Sequence, residues 1–113
     1  MIIPQTEWLA PTEYPDLRSA DEIAIDLETR DPDLKKLGSG AIIGNGEVVG
    51  IAVAVDGWKG YFPIAHEIGP NLDRTKVLSW FKDVCESPAT KIFHNAMYDV
   101  CWIRNLGIKI NGL

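Results

Sequence analysis

The stretch from Ile23 to Thr29 constrains the fold of this chain more strongly than any other part of the sequence. It is an apolar run that ends in two acidic residues one position apart, Asp26 and Glu28. Because successive side chains of a β-strand point to opposite faces, both acids are predicted to share one face, while three aliphatic side chains share the other. Two ionised carboxylates side by side repel each other unless a cation holds them, and closely spaced oxygen ligands suit Mg²⁺ or Mn²⁺. The stretch therefore predicts an internal strand that carries candidate metal ligands at its end.

Composition limits the classes of protein to which the chain can belong. Its 113 residues allow one domain at most, and 46% hydrophobic with 24% charged residues is typical of a soluble globular protein. No apolar run reaches the length of a membrane span, so no membrane partner is expected. A net charge of −5 argues against a protein that coats nucleic acid, but it does not exclude an enzyme that meets phosphate through bound metal ions. Cys85 and Cys101 fit neither a zinc site nor a disulfide framework, and we expect reduced, buried thiols.

Hydrophobic periodicity predicts an α/β chain with a mixed sheet of five strands, the first three antiparallel, and flanking helices. Residues 1–22, which include Trp8 and Tyr14, form a predicted irregular lead-in, and residues 23–113 form part of a domain. The Asn45–Gly46 pair predicts a hairpin turn between residues 42–43 and 48–49, and Asp56–Gly57 predicts a second one. The predicted elements are strands at 23–27, 48–55, 58–63 and 90–93, a fifth strand from 108, and helices at 72–86 and from about 96 to 106.

Between Val48 and Val55 the strand alternates bulky and small residues. Gly50, Ala52 and Ala54 give one face no bulk. Another helix or strand is therefore expected to approach that face closely.

A third acid, Asp99, follows the predicted strand at 90–93, which a crossover helix makes parallel to the first strand. Asn95 and Asp99 are four residues apart and lie on one side of the following helix, one turn from its start. If the two strands are neighbours, Asp99 faces Asp26 and Glu28 across the end of the sheet, where ligands collect in α/β folds. Three such carboxylates can hold two divalent cations about 3.5 to 4 Å apart for in-line attack on a phosphodiester.

The motifs resemble those of a known superfamily. Residues 26–29, Asp-Leu-Glu-Thr, resemble the first motif, and residues 94–99, His-Asn-Ala-Met-Tyr-Asp, resemble the second motif, of the DEDD superfamily of 3′-to-5′ exonucleases with the ribonuclease H-like fold. The chain is most similar to the proofreading domain of family A DNA polymerases of bacteria and bacteriophage. The similarity extends from Ile23 to the C-terminus and includes residues 60–66, Gly-Tyr-Phe-Pro-Ile-Ala-His, and residues 106–108.

The resemblance implies a role for each matching residue. Asp26, Glu28 and Asp99 would be the catalytic metal ligands for two Mg²⁺ or Mn²⁺ ions, and Thr29 and Asn95 would contact the terminal nucleotide. The implied substrate is a single-stranded DNA 3′ end, cleaved to nucleoside monophosphates. The implied partner is a polymerase domain in the same or a cognate chain, inside a bacterium or a phage-infected host.

The chain departs from the pattern of the superfamily at one point. The third motif, a Tyr or His four residues before a last metal-binding Asp, would follow Leu113. We therefore expect little or no exonuclease activity from this polypeptide alone. We interpret it as the N-terminal part of a longer domain, and self-association of the chain is a further expectation. Two alternatives remain open: a ribonuclease or repair exonuclease of the same superfamily, and a non-catalytic module that binds nucleic acid or protein.

Three further residues near these motifs have simpler interpretations. Asn95 is expected to cap the following helix as well as serve the site. His94 is excluded from the ligand set, and His66 is interpreted as a loop histidine.

Overall fold

The structure is a computed structural model that describes residue 11 and residues 13–113. It shows a mixed α/β fold. The elements in chain order are β1 (Glu22–Arg30), α1 (Leu34–Leu37), α2 (Gly40–Ile43), β2 (Glu47–Val55), β3 (Trp58–Pro63), α3 (Arg74–Glu86), β4 (Thr90–Phe93) and α4 (Ala96–Asn105).

The described strands form one sheet in the order β3-β2-β1-β4. β2 pairs antiparallel with both β1 and β3, and β4 pairs parallel with β1. The predictions of three antiparallel strands and of a parallel strand beside the first are confirmed. Gly57, at φ 84°, makes the predicted tight turn between β2 and β3.

β1 separates the core from the candidate acids. Its side chains alternate as predicted: Ile23, Ile25 and Leu27 are buried in the hydrophobic core, whereas Glu28 on the opposite face is exposed. The core is completed mainly by α3 and α4, which contribute Val77, Trp80, Phe81, Val84, Cys85, Trp102 and Ile103. The helices therefore fix the apolar face of the sheet and leave the acids on its other face.

The predicted fifth strand is wrong, since the described residues contain four strands and the segment from Ile108 forms none. Ile108 is buried against the core, but the segment divides its backbone bonds between two elements. The Lys91 amide donates to the Gly112 carbonyl at 2.7 Å, and the Asn111 amide donates to the Cys85 carbonyl at 2.9 Å. Split in this way, the segment cannot form a ladder along β4.

The hairpin predicted at Asn45–Gly46 is also wrong, because residues 42–43 belong to the helical turn α2. Side chains provide the local bonds that a ladder would have supplied. The Asp31 carboxylate accepts the Gly40 amide at 2.9 Å, and the Asn45 side-chain amide donates to Asp33 at 2.7 Å. Gly44 then ends α2 in the left-handed region, at φ 76°.

The boundaries of α3 differ slightly from the prediction. The helix begins at Arg74 rather than Leu72, because Asp73 caps it by accepting the Lys76 amide at 3.2 Å. It ends at Glu86, as predicted.

Residues 13–21, the described end of the lead-in, contain no helix or strand. Tyr14 stacks on Phe62 with ring centroids 5.7 Å apart, and the Trp80 indole donates to the Pro15 carbonyl at 2.7 Å. Residues 1–10 and 12 of the predicted lead-in, including Trp8, lie outside the described residues, and Glu22 belongs to β1.

The two thiols differ in burial. Cys85 is buried and Cys101 is half-buried, and neither forms a disulfide. Burial raises the pKa of the Cys85 thiol to about 12, so this thiol is protonated at neutral pH.

Among the helices in the described part of the chain, none has the length and apolar character needed to cross a bilayer.

A buried lysine ties the C-terminal segment to the fold. The Lys91 ammonium group donates to the carbonyls of Ser87, Ala89 and Asn111 at 2.6, 2.7 and 2.9 Å, and the residue is only 4% exposed. All three of its donors are therefore satisfied by backbone acceptors.

We expect Lys91→Met to lower the free energy of unfolding by roughly 2 to 4 kcal/mol, because it removes the shared donor of these carbonyls. Denaturant unfolding measures the loss. Lys109→Met, at an exposed lysine, is the control and should change stability by less than about 0.5 kcal/mol. An equal loss in both variants would contradict the role assigned to Lys91.

Candidate metal and nucleic-acid site

The candidate site lies at the end of β1, where its acids face small residues of the neighbouring strand. Asp26 pairs with Ala52, and Glu28 pairs with Gly50. The register shifts between Glu28 and Thr29, a bulge of the kind that redirects side chains at a strand end. The β2 residues beside the acids are small, as the sequence predicted, and the Tyr61 ring from β3 lies over Gly50.

Asp99 lies in the first turn of α4, and the parallel pairing of β4 brings that turn to the same end of β1. Asp99 is 3% exposed, and its Oδ2 has no hydrogen-bond partner among the described residues. Burial and, second to it, the negative charge of Asp26 raise the pKa of this carboxyl to about 6, while His94 acts in the opposite direction. Asp26 is therefore close enough to Asp99 to disfavour the charged form of that carboxyl.

This pair fits a hard divalent cation. A buried carboxylate oxygen without a donor, facing a second carboxylate, is stabilised when a cation lies between them. The three predicted ligands do not form a ready cluster, however: within the described ranges, no three His, Cys, Asp or Glu side chains are arranged to hold a metal ion. The ligand roles of Asp26, Glu28 and Asp99 stay predictions.

Glu28 is instead engaged with β3 and the loop after it. The Tyr61 hydroxyl donates to Glu28 Oε2 at 2.8 Å and also hydrogen-bonds His66 Nε2. His66 Nε2 lies 3.6 Å from the same Glu28 oxygen. Burial raises the pKa of Tyr61 above its ordinary value, and the bond to Glu28 adds to the rise. His66 is a loop residue, as predicted, but its ring belongs to the site.

A second network joins Thr29 to the loop after β1. The Tyr98 hydroxyl donates to Asp31 Oδ2 at 2.7 Å, so the 2.8 Å contact between Tyr98 and Thr29 is donated by the Thr29 hydroxyl. Asp31 also accepts the Gly40 amide through both of its oxygens, at 2.9 and 3.1 Å. One carboxylate therefore anchors both α2 and the Tyr98 ring beside the predicted nucleotide contact.

Asn95 is the N-cap residue of α4, as predicted, but its side chain makes no capping hydrogen bond. Its backbone carbonyl instead accepts the Asp99 amide at 3.1 Å. The Asn95 backbone, at φ −133° and ψ 83°, is not in the extended region that the capping residue of α3 adopts. Its proposed contact with nucleic acid is not tested by this geometry.

Sequence reasoning did not assign roles to Asp31, Tyr61 or the His66 ring. Tyr61 and His66 both lie within residues 60–66, which carry part of the family resemblance, so that stretch was the available signal. Asp31 had no comparable signal, because its partners Gly40 and Tyr98 are 9 and 67 residues away.

The raised pKa of Asp99 predicts a pH-dependent stability of the metal-free chain. The folded pKa of about 6 exceeds the ordinary value of 3.8, so the folded chain binds more protons and loses stability as pH rises through this window. At pH 7 the ionised Asp99 should cost roughly 2 to 3 kcal/mol. Asp99→Asn should recover most of this at pH 7 and little at pH 4, measured by denaturant unfolding. The exposed Asp83→Asn is the control, and equal pH profiles for wild type and Asp99→Asn would contradict the prediction.

Asp31→Ala should release the segment that contains α1 and α2. The Gly40 amide and the Tyr98 hydroxyl lose their acceptor, which we expect to lower stability by roughly 1 to 3 kcal/mol and to speed exchange of the Gly40 amide hydrogen. Hydrogen exchange measured residue by residue checks this. The exposed turn variant Asp56→Ala should leave that amide protected, and unchanged exchange in Asp31→Ala would refute the anchor.

Comparison with known proteins gives one informative relative. No protein-family model matches the chain. It is 46% identical over 114 aligned residues to a protein of Pseudomonas phage M6 named DNA-directed DNA polymerase, an alignment that covers 92% of this chain. The chain spans only 16% of the length of that polymerase. It is therefore similar to one region of a phage DNA polymerase, which supports the predicted connection with DNA replication.

Proposed function

We propose that this chain supplies the first two motifs of a 3′-to-5′ DNA exonuclease domain with the ribonuclease H-like fold, associated with a DNA polymerase. In this proposal Asp26, Glu28 and Asp99 are the ligands of two Mg²⁺ or Mn²⁺ ions. The substrate is a single-stranded DNA 3′ end, and the reaction is hydrolysis of its last phosphodiester bond. The similarity to a region of a phage DNA polymerase supports the polymerase context.

The observation that carries the proposal is the buried Asp99 Oδ2, which has no hydrogen-bond partner among the described residues and belongs to a carboxyl whose charge Asp26 disfavours. Leaving a buried carboxylate oxygen without a donor costs free energy, and a like charge nearby adds to that cost. Such strain is typical of functional sites, where a ligand relieves it. A divalent cation bound by both carboxylates would do so.

The remaining residues bind and orient the substrate in this proposal. Bound cations would supply an activated water and stabilise the leaving 3′ oxygen. Thr29, whose hydroxyl donates to Tyr98, and Asn95 at the start of α4 would contact the terminal nucleotide.

Titration of the chain with Mn²⁺ tests the metal site. Calorimetry measures the binding, and thermal unfolding measures the gain in stability. We expect the wild type to bind Mn²⁺ and to gain about 2.7 kcal/mol of stability at 100 times the dissociation constant. Asp26→Ala should abolish binding, since one carboxylate of the pair is lost. Asp56→Ala, at an exposed hairpin acid, is the matched control and should bind as the wild type does.

The alternatives are separated by adding nucleic acid to the same titration. Labelled single-stranded DNA and RNA of one sequence are compared for Mn²⁺-dependent binding by fluorescence anisotropy and for cleavage on gels. Preference for the DNA 3′ end supports the proposal, and preference for RNA favours a ribonuclease of the same superfamily. Binding of the DNA or the RNA without any dependence on Mn²⁺ would point to a non-catalytic module and overturn the proposal.

A further inference from the structure

Tyr61 reaches Glu28 across a neighbouring strand, which requires an unusual absence of side chains between them. Tyr61 pairs with Ala52, which pairs with Asp26, so these residues form one row across the sheet. Glu28 lies in the next row, opposite Gly50. The Tyr61 side chain therefore leans diagonally over Gly50 to place its hydroxyl 2.8 Å from Glu28 Oε2.

Gly50 is what permits this approach. A Cβ atom built there would lie 1.8 Å from the Tyr61 hydroxyl oxygen and 2.3 Å from Cζ, distances that real atoms do not adopt. Any side chain at position 50 must push the ring away from Glu28. The small face of β2 that the sequence displays is therefore occupied by a tyrosine ring.

His66 supports Tyr61 through a hydrogen bond to its hydroxyl. Asn71 holds the His66 backbone in place, since its side chain accepts the His66 amide at 2.8 Å and donates to the His66 carbonyl at 2.9 Å. The His66 ring meets the Tyr61 ring edge-on at 76°, with its Nε2 at the hydroxyl. Because the hydroxyl proton goes to Glu28, His66 Nε2 is the donor in the second bond.

The contacts of Tyr61 and His66 hold one oxygen of the Glu28 carboxylate, whose side chain is otherwise exposed. The Glu28 side chain is 53% exposed, and the contacts with Tyr61 and His66 both fall on Oε2. A carboxylate accepts at both oxygens, so Oε1 can serve a cation while Oε2 stays bonded to Tyr61. Groups that orient a metal ligand in this way commonly change metal affinity 10- to 100-fold when removed.

We propose that Tyr61 is a positioning residue that fixes the Glu28 carboxylate for divalent-cation binding. His66 hydrogen-bonds the Tyr61 hydroxyl, and the absence of a side chain at Gly50 makes room for the Tyr61 ring. The role rests on the proposed function, because it presupposes that Glu28 is a metal ligand. It adds a residue from β3 to a site whose ligands come from β1 and α4. Tyr61 itself touches neither cation nor substrate.

The test is Mn²⁺ titration of the chain, wild type against Tyr61→Phe. Tyr61→Phe keeps the ring and removes only the hydroxyl, and we expect Mn²⁺ binding to weaken by about 10- to 100-fold. Tyr14→Phe is the matched control, because it removes a hydroxyl from a ring that packs on Phe62. That control should bind Mn²⁺ as tightly as the wild type.

Two further variants separate positioning from a general packing role. Gly50→Ala leaves Tyr61 chemically intact but displaces its ring, so it should weaken Mn²⁺ binding as Tyr61→Phe does. Tyr61→Phe added to Glu28→Ala should cause no further weakening, because the effect of Tyr61 passes through Glu28. Thermal unfolding of each metal-free variant shows whether that variant folds. If one of Tyr61→Phe and Gly50→Ala does not fold, the other is sufficient to test the positioning role.

Each outcome decides one of the two proposals. If the wild type binds Mn²⁺ and Tyr61→Phe or Gly50→Ala binds it equally or more tightly, the positioning role is overturned and the proposed metal site stands. Further weakening by Tyr61→Phe in the Glu28→Ala background also overturns the role. If the wild type binds no Mn²⁺, the proposed function is overturned and the positioning role falls with it.

Discussion

The parallel pairing of β4 with β1 is the constraint on which the candidate site depends. It aligns Ile25 with Phe93, so that the chain leaves β4 beside the part of β1 that carries Asp26. Two residues separate the end of β4 from the start of α4, whose first turn places Asp99 next to that acid. Two carboxylates 73 positions apart in sequence are thereby brought within electrostatic range, as the raised pKa of Asp99 shows.

The core on the other face of the sheet makes this placement rigid. The aliphatic side chains of β1 pack under α3 and α4, and Trp102 and Ile103 of α4 are buried in the same cluster as Ile23. Trp102 and Ile103 pack α4 against the core, and Asp99 lies in the first turn of that helix, within electrostatic range of Asp26. The folded chain therefore retains an unfavourable pair of charges, the kind of local cost that proteins tolerate at functional sites.

The two hydrogen-bond networks divide the site into distinct parts. Asp31 and Tyr98 fix the loop after β1 around Thr29, whereas Tyr61 and His66 bind Glu28 from the opposite edge of the sheet. Both networks use tyrosine hydroxyls that donate to a carboxylate. In each case the carboxylate is held by a group distant in sequence, which gives the strand end a defined geometry without a metal ion.

Local pattern in the sequence determined most of the fold, because alternation in β1 and helical spacing in α3 are properties of neighbouring residues. It also determined that Asp26 and Glu28 share a face and that Asp99 lies in the first turn of a helix after a parallel strand. Local pattern misled where tertiary bonds compete with it: Asp31 turned residues 40–43 into a helix, and bonds to Cys85 and Lys91 kept residues 108–110 out of the sheet. Only the tertiary structure decided the burial of Asp99 Oδ2 and the reach of Tyr61 over Gly50, because both depend on atoms from separate elements meeting in space.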